Sequence, residues 1–310
     1  MTQMDTVQSY ELIKIIGTGS FAKVFLAKKD SRLVAIKAVS KRDQHACSLV
    51  EKTTELLTLL NKQNQTKDKD AYYGKQNVVK FYERVENSEI IGLVLEYIQG
   101  MEMFDYIIKY HQKMYGESIG IPEHLAKKII RDLIQAVYFI HSHRIVHGDL
   151  KLENVIVMDL PVPMIKLIDF GLAQYVPEGV TDLPIKSSQP YLSPECIMQQ
   201  PTDPFKADVW ATGVVLFALV TSRMPFDPDN NILKQLHEDD KDEAGYLHSR
   251  LTRSMMRRIA VGTYHLRPSE SDSLSPEVVD LISKMLTRDP KNRINPKEAL
   301  QHPWFDSIRN

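Results

Sequence analysis

The first part of the chain alternates apolar and polar residues with a period of two. The stretches YELIKIIGTG, AKVFLAKK and RLVAIKAV follow one another within residues 10–39. NVVKFYERV at 77–85 and IIGLVLEYI at 90–98 have the same character. Because successive side chains of a strand point to opposite faces of a sheet, this pattern predicts a strand-rich region that extends to about residue 98.

Helical spacing of apolar residues dominates elsewhere. CSLVEKTTELLTLLNK, at 47–62, has leucines near helical spacing and predicts one helix inside the strand-rich region. The polar stretch that follows, at 63–76, predicts a flexible insertion. Beyond Gly100, helical periodicity predicts helices at 103–111, 123–143, 208–222 and 275–286.

A strand-rich start before a helix-rich remainder predicts an α+β protein with two lobes. The lobes are expected to join near Tyr97–Met101. We expect an N-terminal extension at 1–9, a small β-rich lobe with one main helix at 10–98, a larger helical lobe at 99–305 and a short tail at 306–310.

The composition narrows the class of protein. The formal net charge is -1, from 39 basic and 40 acidic residues, which argues against a dedicated nucleic-acid or membrane surface. Two cysteines give no disulfide framework and suit a reducing compartment. No uncharged apolar run approaches the roughly 18 residues of a membrane span, and the start resembles no secretory signal. The expected location is the cytosol or the nucleus.

A glycine-containing loop, GTGSFAKV, lies between the first two predicted strands, from Gly17 to Val24. Glycines allow a backbone to approach phosphate oxygens and to direct N–H groups at them. Such a loop opens a helix in dinucleotide-binding proteins, whereas here the strand-like KVFLAKK follows. The loop therefore predicts a hairpin lid, which Ala22, in place of a third glycine, is expected to stiffen.

A lysine, Lys37, ends the apolar run VAIK in the next strand. A lysine in an alternating strand normally lies on the solvated face, and alone this interpretation is the better one. Next to a glycine lid, the same lysine could instead reach phosphates, and it would then need a carboxylate to hold it. Glu55, with Leu59 one turn on, is the first candidate, and Glu51 is the second.

Two short stretches concentrate acidic and polar residues between apolar ones, IVHGDLKLENVIV at 145–157 and KLIDFGLA. Asp169 and Asn154 offer the hard oxygen ligands that suit a magnesium ion retaining waters and gripping phosphates. Asp149 is then available to orient a hydroxyl and to accept its proton. Lys151 would stabilise the charge of a moving phosphoryl group.

The ordered set GTGSFAKV, VAIK, HGDLKLEN, DFG, SPE and DVWATG, with the late Arg293, resembles the eukaryotic protein kinase family. The resemblance covers about Tyr10 to Phe305. Lys151 in D-L-K-x-x-N is similar to serine/threonine kinases. DLKLENV, MPFDPDNN and the terminal HPWF look most like the AMP-activated and calcium/calmodulin-dependent kinase group.

The resemblance implies the bilobal kinase fold, with ATP and Mg²⁺ as cofactors, and it carries the family's site residues onto this chain. The implied catalytic residues are Asp149, Lys151, Lys37 and Glu55. The implied nucleotide-binding residues are Ile16, Gly17, Thr18, Gly19, Ser20, Phe21, Ala22, Lys23, Val24, Ala35, Lys37, Leu95, Glu96, Ile98, Glu102, Glu153, Asn154, Ile156 and Asp169. The implied metal ligands are Asn154 and Asp169.

The resemblance also implies finer roles. Leu95 would be the gatekeeper beside adenine, and Glu102 would meet the ribose. Glu102 and Glu153 match acidic positions that meet arginines before the acceptor residue, so a preference for basic motifs is a hypothesis. Asp208 would anchor a stack of Phe81, Leu59, Phe170 and His147 that aligns the lobes, and Glu195 would pair with Arg293.

One departure from the family concerns regulation. Most members have an arginine between the catalytic histidine and aspartate, where it helps to bind a phosphate on the activation segment. Here Gly148 takes that place, and Pro184 takes the place of the activating threonine. Phosphate acceptor and receptor are missing together, which predicts activity without phosphorylation at the usual position. Other hydroxyls of the segment remain as acceptors: Thr181, Ser187 and Ser188, the last expected rather to position the substrate.

The leading hypothesis is a serine/threonine protein kinase acting on protein substrates, without nucleic-acid or membrane partners and with no regulatory subunit indicated. One alternative is a pseudokinase, a nucleotide-binding scaffold without turnover. Another is a phosphotransferase for small molecules on the same fold. Lys37, Asp149, Asn154 and Asp169 are all present, which argues against the first alternative. The peptide-docking segment at 187–195 argues against the second.

Overall fold

The computed structural model describes residues 6–19, 22–62, 68–113, 120–158, 162–227 and 244–308. Its first half contains a six-stranded antiparallel sheet in the order β1-β2-β3-β4-β6-β5. The strands are β1 (Thr6–Val7), β2 (Tyr10–Thr18), β3 (Lys23–Lys29), β4 (Arg32–Ser40), β5 (Phe81–Glu86) and β6 (Ile90–Glu96). The predicted strand-rich region is confirmed.

The two faces of this sheet pack differently. Val34, Ile36 and Ala38 of β4 form a small separate core with Val7 and Tyr10 from the start of the chain. The intervening positions of β4 lie on the opposite face, toward helix α1 (Gln44–Lys62). Lys37 belongs to this second face, so it lies toward the interior of the molecule and not on the outer surface of the sheet.

Helix α1 confirms the helix predicted at 47–62 and begins earlier, at Gln44. The Asp43 carboxylate accepts a hydrogen bond from the backbone N–H of Ala46 at 2.9 Å, which satisfies an otherwise unpaired donor of the first turn. The buried positions of the helix recur at helical spacing and are Ala46, Val50, Thr53, Leu56, Leu57 and Leu60.

A second, shorter helix, α2 (Lys69–Gln76), lies in the polar stretch that was expected to be a flexible insertion. Asp68 caps its first turn through the backbone N–H groups of Asp70 and Ala71. A Cβ atom on Gly74 would lie 1.9 Å from the carbonyl oxygen of Gln135 in helix α4 (Glu123–Ser142), so the two helices are in close contact. The prediction is therefore wrong for 69–76, while residues 63–67 lie outside the described part of the chain.

The second half is mainly helical, as predicted. Besides α4 it contains α3 (Met103–Lys113), α5 (Pro194–Ile197), α6 (Pro204–Thr221), α7 (Ala244–Val261), α8 (Pro268–Ser273), α9 (Pro276–Met285) and α10 (Pro296–Leu300). Two small sheets accompany the helices, one of β7 (Met101–Glu102), β9 (Val155–Met158) and β10 (Met164–Leu167), the other of β8 (Ile145–Val146) and β11 (Gln174–Tyr175).

Helix α6 is the centre of the helical half. It is apolar on all sides, and nearly all of its residues are buried, which is typical of a core helix. By length and composition alone it could also cross a membrane, but it is enclosed by the fold. Close to it, Arg293 makes the predicted pair with Glu195 through two hydrogen bonds of 2.8 and 2.9 Å, both side chains being buried.

Candidate active site

A buried carboxylate on α6 fixes the catalytic loop, which we define as the residues 147–154 that follow β8. Asp208 accepts hydrogen bonds from the backbone N–H groups of His147 at 2.8 Å and Gly148 at 3.0 Å. It also bonds the ring of His141 at 2.9 Å. Asp208 is 2% exposed, so these partners replace the water that the carboxylate loses on burial. The anchoring role predicted for Asp208 is confirmed.

Gly148 has a φ of +74°, in the left-handed region that side chains with a Cβ rarely adopt. A Cβ at this position would lie 2.9 Å from the carbonyl oxygen of Leu172, which follows the DFG residues. Glycine therefore removes both the backbone strain and the steric contact at a point where two functional segments meet.

Asp149, Lys151 and Ser188 form one hydrogen-bonded group. The Lys151 ammonium lies 2.9 Å from Asp149 Oδ2 and donates to Ser188 Oγ at 3.0 Å. Ser188 donates through Oγ and its backbone N–H to Asp149 Oδ1, at 3.0 and 3.1 Å. Burial opposes the charged form of Lys151, but the Asp149 carboxylate outweighs it and raises the pKa of that amine. Lys151 is therefore a fixed cation beside a hydroxyl and a carboxylate.

Asp169 lies at a tight turn after β10, with a φ of 61°. Its Oδ1 accepts from Lys37 Nζ at 2.5 Å and from the backbone N–H of Gly171 at 3.1 Å. Burial alone would raise the pKa of this carboxyl, but the Lys37 ammonium and the Gly171 N–H hold it below its usual range. Asp169 therefore stays ionised in the cleft.

The donor set near Asp169 fits a magnesium ion. Asn154 donates its amide N–H to the Asp149 carbonyl at 2.7 Å and to Asp149 Oδ2 at 3.2 Å. Among the described residues, none bonds the amide oxygen of Asn154 or the second carboxylate oxygen of Asp169, so both oxygens remain for a ligand. In the same part of the chain, no three His, Cys, Asp or Glu side chains cluster as a complete metal site. Mg²⁺ takes few protein oxygens and completes its shell with water and phosphate, so the oxygens of Asp169 and Asn154 suit it.

Asp149, Lys151, Asp169 and Ser188 border one cavity of about 540 Å³ between the sheet-bearing and helical halves, whereas the buried Asn154 is not among its described lining residues. Predicted site residues from both halves line it: Gly19, Ala22, Val24, Lys37, Leu95, Asp149, Lys151 and Asp169. Lysine and aspartate residues that are distant in sequence thus converge on one space. Its size and mixed polar and apolar lining are typical of a small-molecule site.

The pairing of the strands places several predicted nucleotide-binding residues opposite one another. Gly17 lies opposite Val24, Thr18 opposite Lys23, Ala35 opposite Leu95, and Glu102 opposite Ile156. Ile16 is exposed on β2, Glu153 is exposed on the catalytic loop, and Ile98 is partly buried just beyond β6. The backbone N–H of Glu96 donates to Lys80 at 2.8 Å. Ser20 and Phe21 lie outside the described residues.

Glu55 does not reach Lys37. It is exposed on α1, and Glu51 pairs instead with Arg84 on β5 at 2.8 Å. The inner face of the helix carries Thr53, which lines the cavity together with other uncharged side chains. Because an α-helix turns about 100° per residue, Glu55 lies about 200° around the axis from Thr53. The predicted ion pair between Lys37 and Glu55 is therefore absent, and Lys37 contacts Asp169.

The orientation of α1 also corrects the predicted stack of apolar side chains, because Leu57 and not Leu59 faces the cavity. Leu57, with 3% exposure, lines the cavity together with Phe170, whereas Leu59 is only partly buried. The rings of Phe170 and His147 lie edge to face, with centroids 4.9 Å apart, as the stack requires. Sequence reasoning missed Thr53, which the apolar positions on either side of it at helical spacing could have revealed.

Acidic side chains gather at the edge of the site. Burial, with the nearby charges of Asp105 and Glu153, raises the pKa of Glu102. Such mutual repulsion among carboxylates is relieved when a cation binds between them. The cluster therefore favours a positively charged partner.

Comparison with known proteins agrees with this geometry. The protein kinase domain family matches residues 10–305. The chain is 31% identical over 314 residues to the probable serine/threonine-protein kinase MARK-A of Dictyostelium discoideum, covering 100% of this chain and 25% of that protein. It is 33% identical over 306 residues to the maternal embryonic leucine zipper kinase of Xenopus tropicalis, covering 97% of this chain and 40% of that protein.

A third relative is the carbon catabolite-derepressing protein kinase of Secale cereale, 31% identical over 305 residues, with 98% of this chain and 52% of that protein covered. The chain thus spans between a quarter and about half of the length of these three relatives. All three are named as kinases, and their similarity extends over the described site. The protein therefore belongs to the protein kinase family and carries a kinase domain of the serine/threonine type, as its motifs predicted.

Proposed function

We propose that this chain transfers the γ-phosphoryl group of ATP to serine or threonine hydroxyls of protein substrates. The observation that carries this proposal is the convergence of Lys37, Asp149, Lys151 and Asp169 on one interlobe cavity. In the reaction, the acceptor oxygen forms a bond to the γ-phosphorus while the bond to the β-phosphate oxygen breaks. ADP leaves, and the hydroxyl proton passes to a carboxylate.

The roles of the side chains follow from their contacts. Asp149 orients the acceptor hydroxyl and takes its proton, because its carboxylate is already held by Ser188, Lys151 and Asn154. Lys151 stabilises the charge that moves with the phosphoryl group. Lys37 of β4, which is held by Asp169, binds the phosphates.

A magnesium ion bound by Asp169 and Asn154 would neutralise the phosphate oxygens when the nucleotide is present. Asn154 is held in place by its two bonds to Asp149, so its amide oxygen is available without rearrangement. Asp169 stays ionised because of Lys37 and the Gly171 N–H, which suits it to this role.

We further propose that arginine or lysine shortly before the acceptor favours a substrate, through Glu102 and Glu153. Burial and the charges of Asp105 and Glu153 raise the pKa of Glu102, and a cation bound between these carboxylates would relieve their repulsion. The preference should weaken as the pH falls through the raised pKa of Glu102, because the protonated carboxyl no longer attracts a cation. Peptide arrays with and without upstream arginine, read at two pH values, test this. Equal phosphorylation of both peptide sets would contradict it.

We also propose that activity does not depend on phosphorylation at the usual activation-loop position. Gly148 and Pro184 stand where the family has the phosphate receptor and the phosphate acceptor. Phosphatase treatment of the active enzyme should leave turnover unchanged. A loss of turnover, with a modified loop residue mapped as its cause, would overturn the proposal.

The principal test is magnesium-dependent transfer of labelled phosphate from ATP to a generic basic protein, compared with Asp149→Asn. The variant should lose most of its rate, a factor of about 10² to 10⁴, while nucleotide binding persists, because only the proton acceptor changes. Equal rates in both proteins would contradict the assigned role. Nucleotide binding without any transfer by the wild type would instead identify a scaffold without turnover.

A further inference from the structure

Close to its start, the activation segment, residues 169–195, is attached to the helical half by the β8–β11 pairing and by one arginine beside it. Arg144 immediately precedes β8, and its carbonyl accepts from the Val176 N–H at 2.7 Å, which extends the β8–β11 pairing by one bond. The Arg144 guanidinium also donates to the carbonyl of Val176 at 2.9 Å and of Pro177 at 2.6 Å. One residue thus makes three hydrogen bonds to two consecutive residues of the segment.

The guanidinium is itself held in a fixed orientation. It lies over the ring of Phe205, with 5.0 Å between the guanidinium carbon and the ring centroid. The Phe205 ring meets His141 edge to face at 5.0 Å, and His141 bonds Asp208, the anchor of the catalytic loop. A contiguous set of contacts therefore joins the start of the activation segment to the catalytic loop.

Arg144 shortly precedes Gly148, the position at which most members of the family have a phosphate-binding arginine. At Gly148 there is no side chain to reach a phosphate, and the left-handed φ of +74° disfavours one. Farther along, one hydrogen bond joins the segment to Thr202 and another braces the segment internally. Asp182 accepts from the Thr202 N–H at 2.8 Å, and Gln174 donates to the Pro184 carbonyl at 3.1 Å. None of these contacts needs a phosphate.

We propose that Arg144 is a positioning residue that holds the activation segment in its working arrangement permanently, in place of a phosphate-dependent latch. The proposal deepens the phosphorylation independence proposed above and rests on it for its regulatory meaning. Because the bonds go to main-chain carbonyls, they persist whatever side chains are modified nearby. Charge-assisted bonds of this kind are stronger than neutral ones.

The test compares Arg144→Met, which keeps an apolar stem for Phe205 but has no donors, with Arg144→Lys, which keeps one charged donor group. Arg42→Met, at an exposed arginine of the other half, is the matched control. We expect Arg144→Met to lower kcat about tenfold with KM for ATP within twofold, and Arg144→Lys to lie between it and the wild type. Phosphatase treatment should change none of these ratios.

Hydrogen exchange supplies a readout that does not need activity. In Arg144→Met the backbone amides of 174–186 should exchange about tenfold faster, with α4 and α6 unchanged. Equal acceleration in α4 and α6 would show a general loss of stability and overturn the proposal. Unchanged exchange at 174–186, or faster exchange with an unchanged kcat, would also overturn it. A wild type without transfer activity would defeat the proposed function, while exchange would still decide whether Arg144 holds the segment.

Discussion

The catalytic loop and helix α1 border the same cavity, but they are held there by different forces. The loop is fixed by a buried polar network centred on Asp208, which accepts two backbone N–H groups and a histidine. The inner face of α1 is uncharged: Val50, Thr53 and Leu57 meet the cavity, and its carboxylates lie elsewhere. Across the cleft, Thr53 Oγ1 lies 3.4 Å from the Phe170 carbonyl.

This difference shows that directional hydrogen bonds specify the geometry of the catalytic loop, whereas apolar packing specifies the position of α1. Hydrogen bonds to a buried carboxylate allow one arrangement, because each lost partner leaves an unsatisfied group. Apolar packing is less directional, so a helix held by it can shift with less loss of free energy. We therefore expect the catalytic loop to be invariant between states and α1 to be the adjustable wall of the site.

The largest effect is expected from Asp208→Asn, which tests the polar side of the comparison. The side-chain amide of asparagine would place an N–H donor against the backbone N–H groups of His147 and Gly148, which need an acceptor. We expect the free energy of unfolding to fall by about 3 kcal/mol and kinase activity to fall at least about 100-fold. Urea unfolding and a peptide kinase assay measure these. The control is Asp203→Asn, at the N-cap of the same helix, where asparagine caps equally well; equal losses in the two variants would contradict the network.

Leu57→Ala tests the apolar side. Leu57 is buried beside the cavity, so removing its side chain should lower the free energy of unfolding by about 2 to 4 kcal/mol, with a severalfold loss of activity. Leu59→Ala, at a partly buried position of the same helix, should cost clearly less. A larger loss for Leu59→Ala, measured by thermal unfolding, would show that the helix has the rotation expected from the sequence and not the one described.

Thr53→Val measures how much the contact between Thr53 Oγ1 and the Phe170 carbonyl contributes. The hydroxyl bonds Leu49 in its own helix at 2.7 Å, and the Phe170 carbonyl is more distant. We expect a change in stability below about 1 kcal/mol and a kcat within about threefold of the wild type. Thr54→Val loses a similar intrahelical bond at 2.8 Å and is the matched control. A tenfold loss of kcat in Thr53→Val alone would make this contact a determinant of the site.

The smallest effect is expected from Glu55→Gln. Since Glu55 is exposed and Lys37 contacts Asp169, neutralising Glu55 should leave kcat and KM for ATP within twofold of the wild type. Lys37→Met, measured in the same steady-state assay, should by contrast remove most of the activity. A comparable loss in both variants would mean that α1 rotates in the working enzyme and brings Glu55 to the lysine.

The grouping of the catalytic-loop residues could be predicted from the sequence because they lie within a few positions of one another, between two strands. Asp149, Lys151 and Asn154 could hardly fold apart, and the network around Asp208 brings the loop to the cavity. The helix carboxylate was harder to assign, because a spacing of four residues from Glu55 to Leu59 fits one face of any helix. Only the full set of buried positions settles which face is inside, and those positions exclude Glu55.

Arg144 was missed for a related reason. A single arginine before a buried strand has no motif, and its partners are main-chain carbonyls of a segment distant in sequence. Helix α2 was missed because its composition is polar, with a glycine and two adjacent tyrosines. Its stability comes from contact with α4 and from the Asp68 cap, which the local pattern does not reveal.

Helix α2 limits how the two halves can rock against each other. It is inserted between α1 and β5, yet Gly74 lies against the backbone of Gln135 in α4, so it belongs by contact to the opposite half. Just after it, Asn77 donates to the Asp132 carbonyl at 3.1 Å and accepts from the Leu167 N–H at 2.7 Å. We expect any opening of the cleft to leave these contacts of α2 and Asn77 in place and to move mainly β2 and β3, which lie at the far edge.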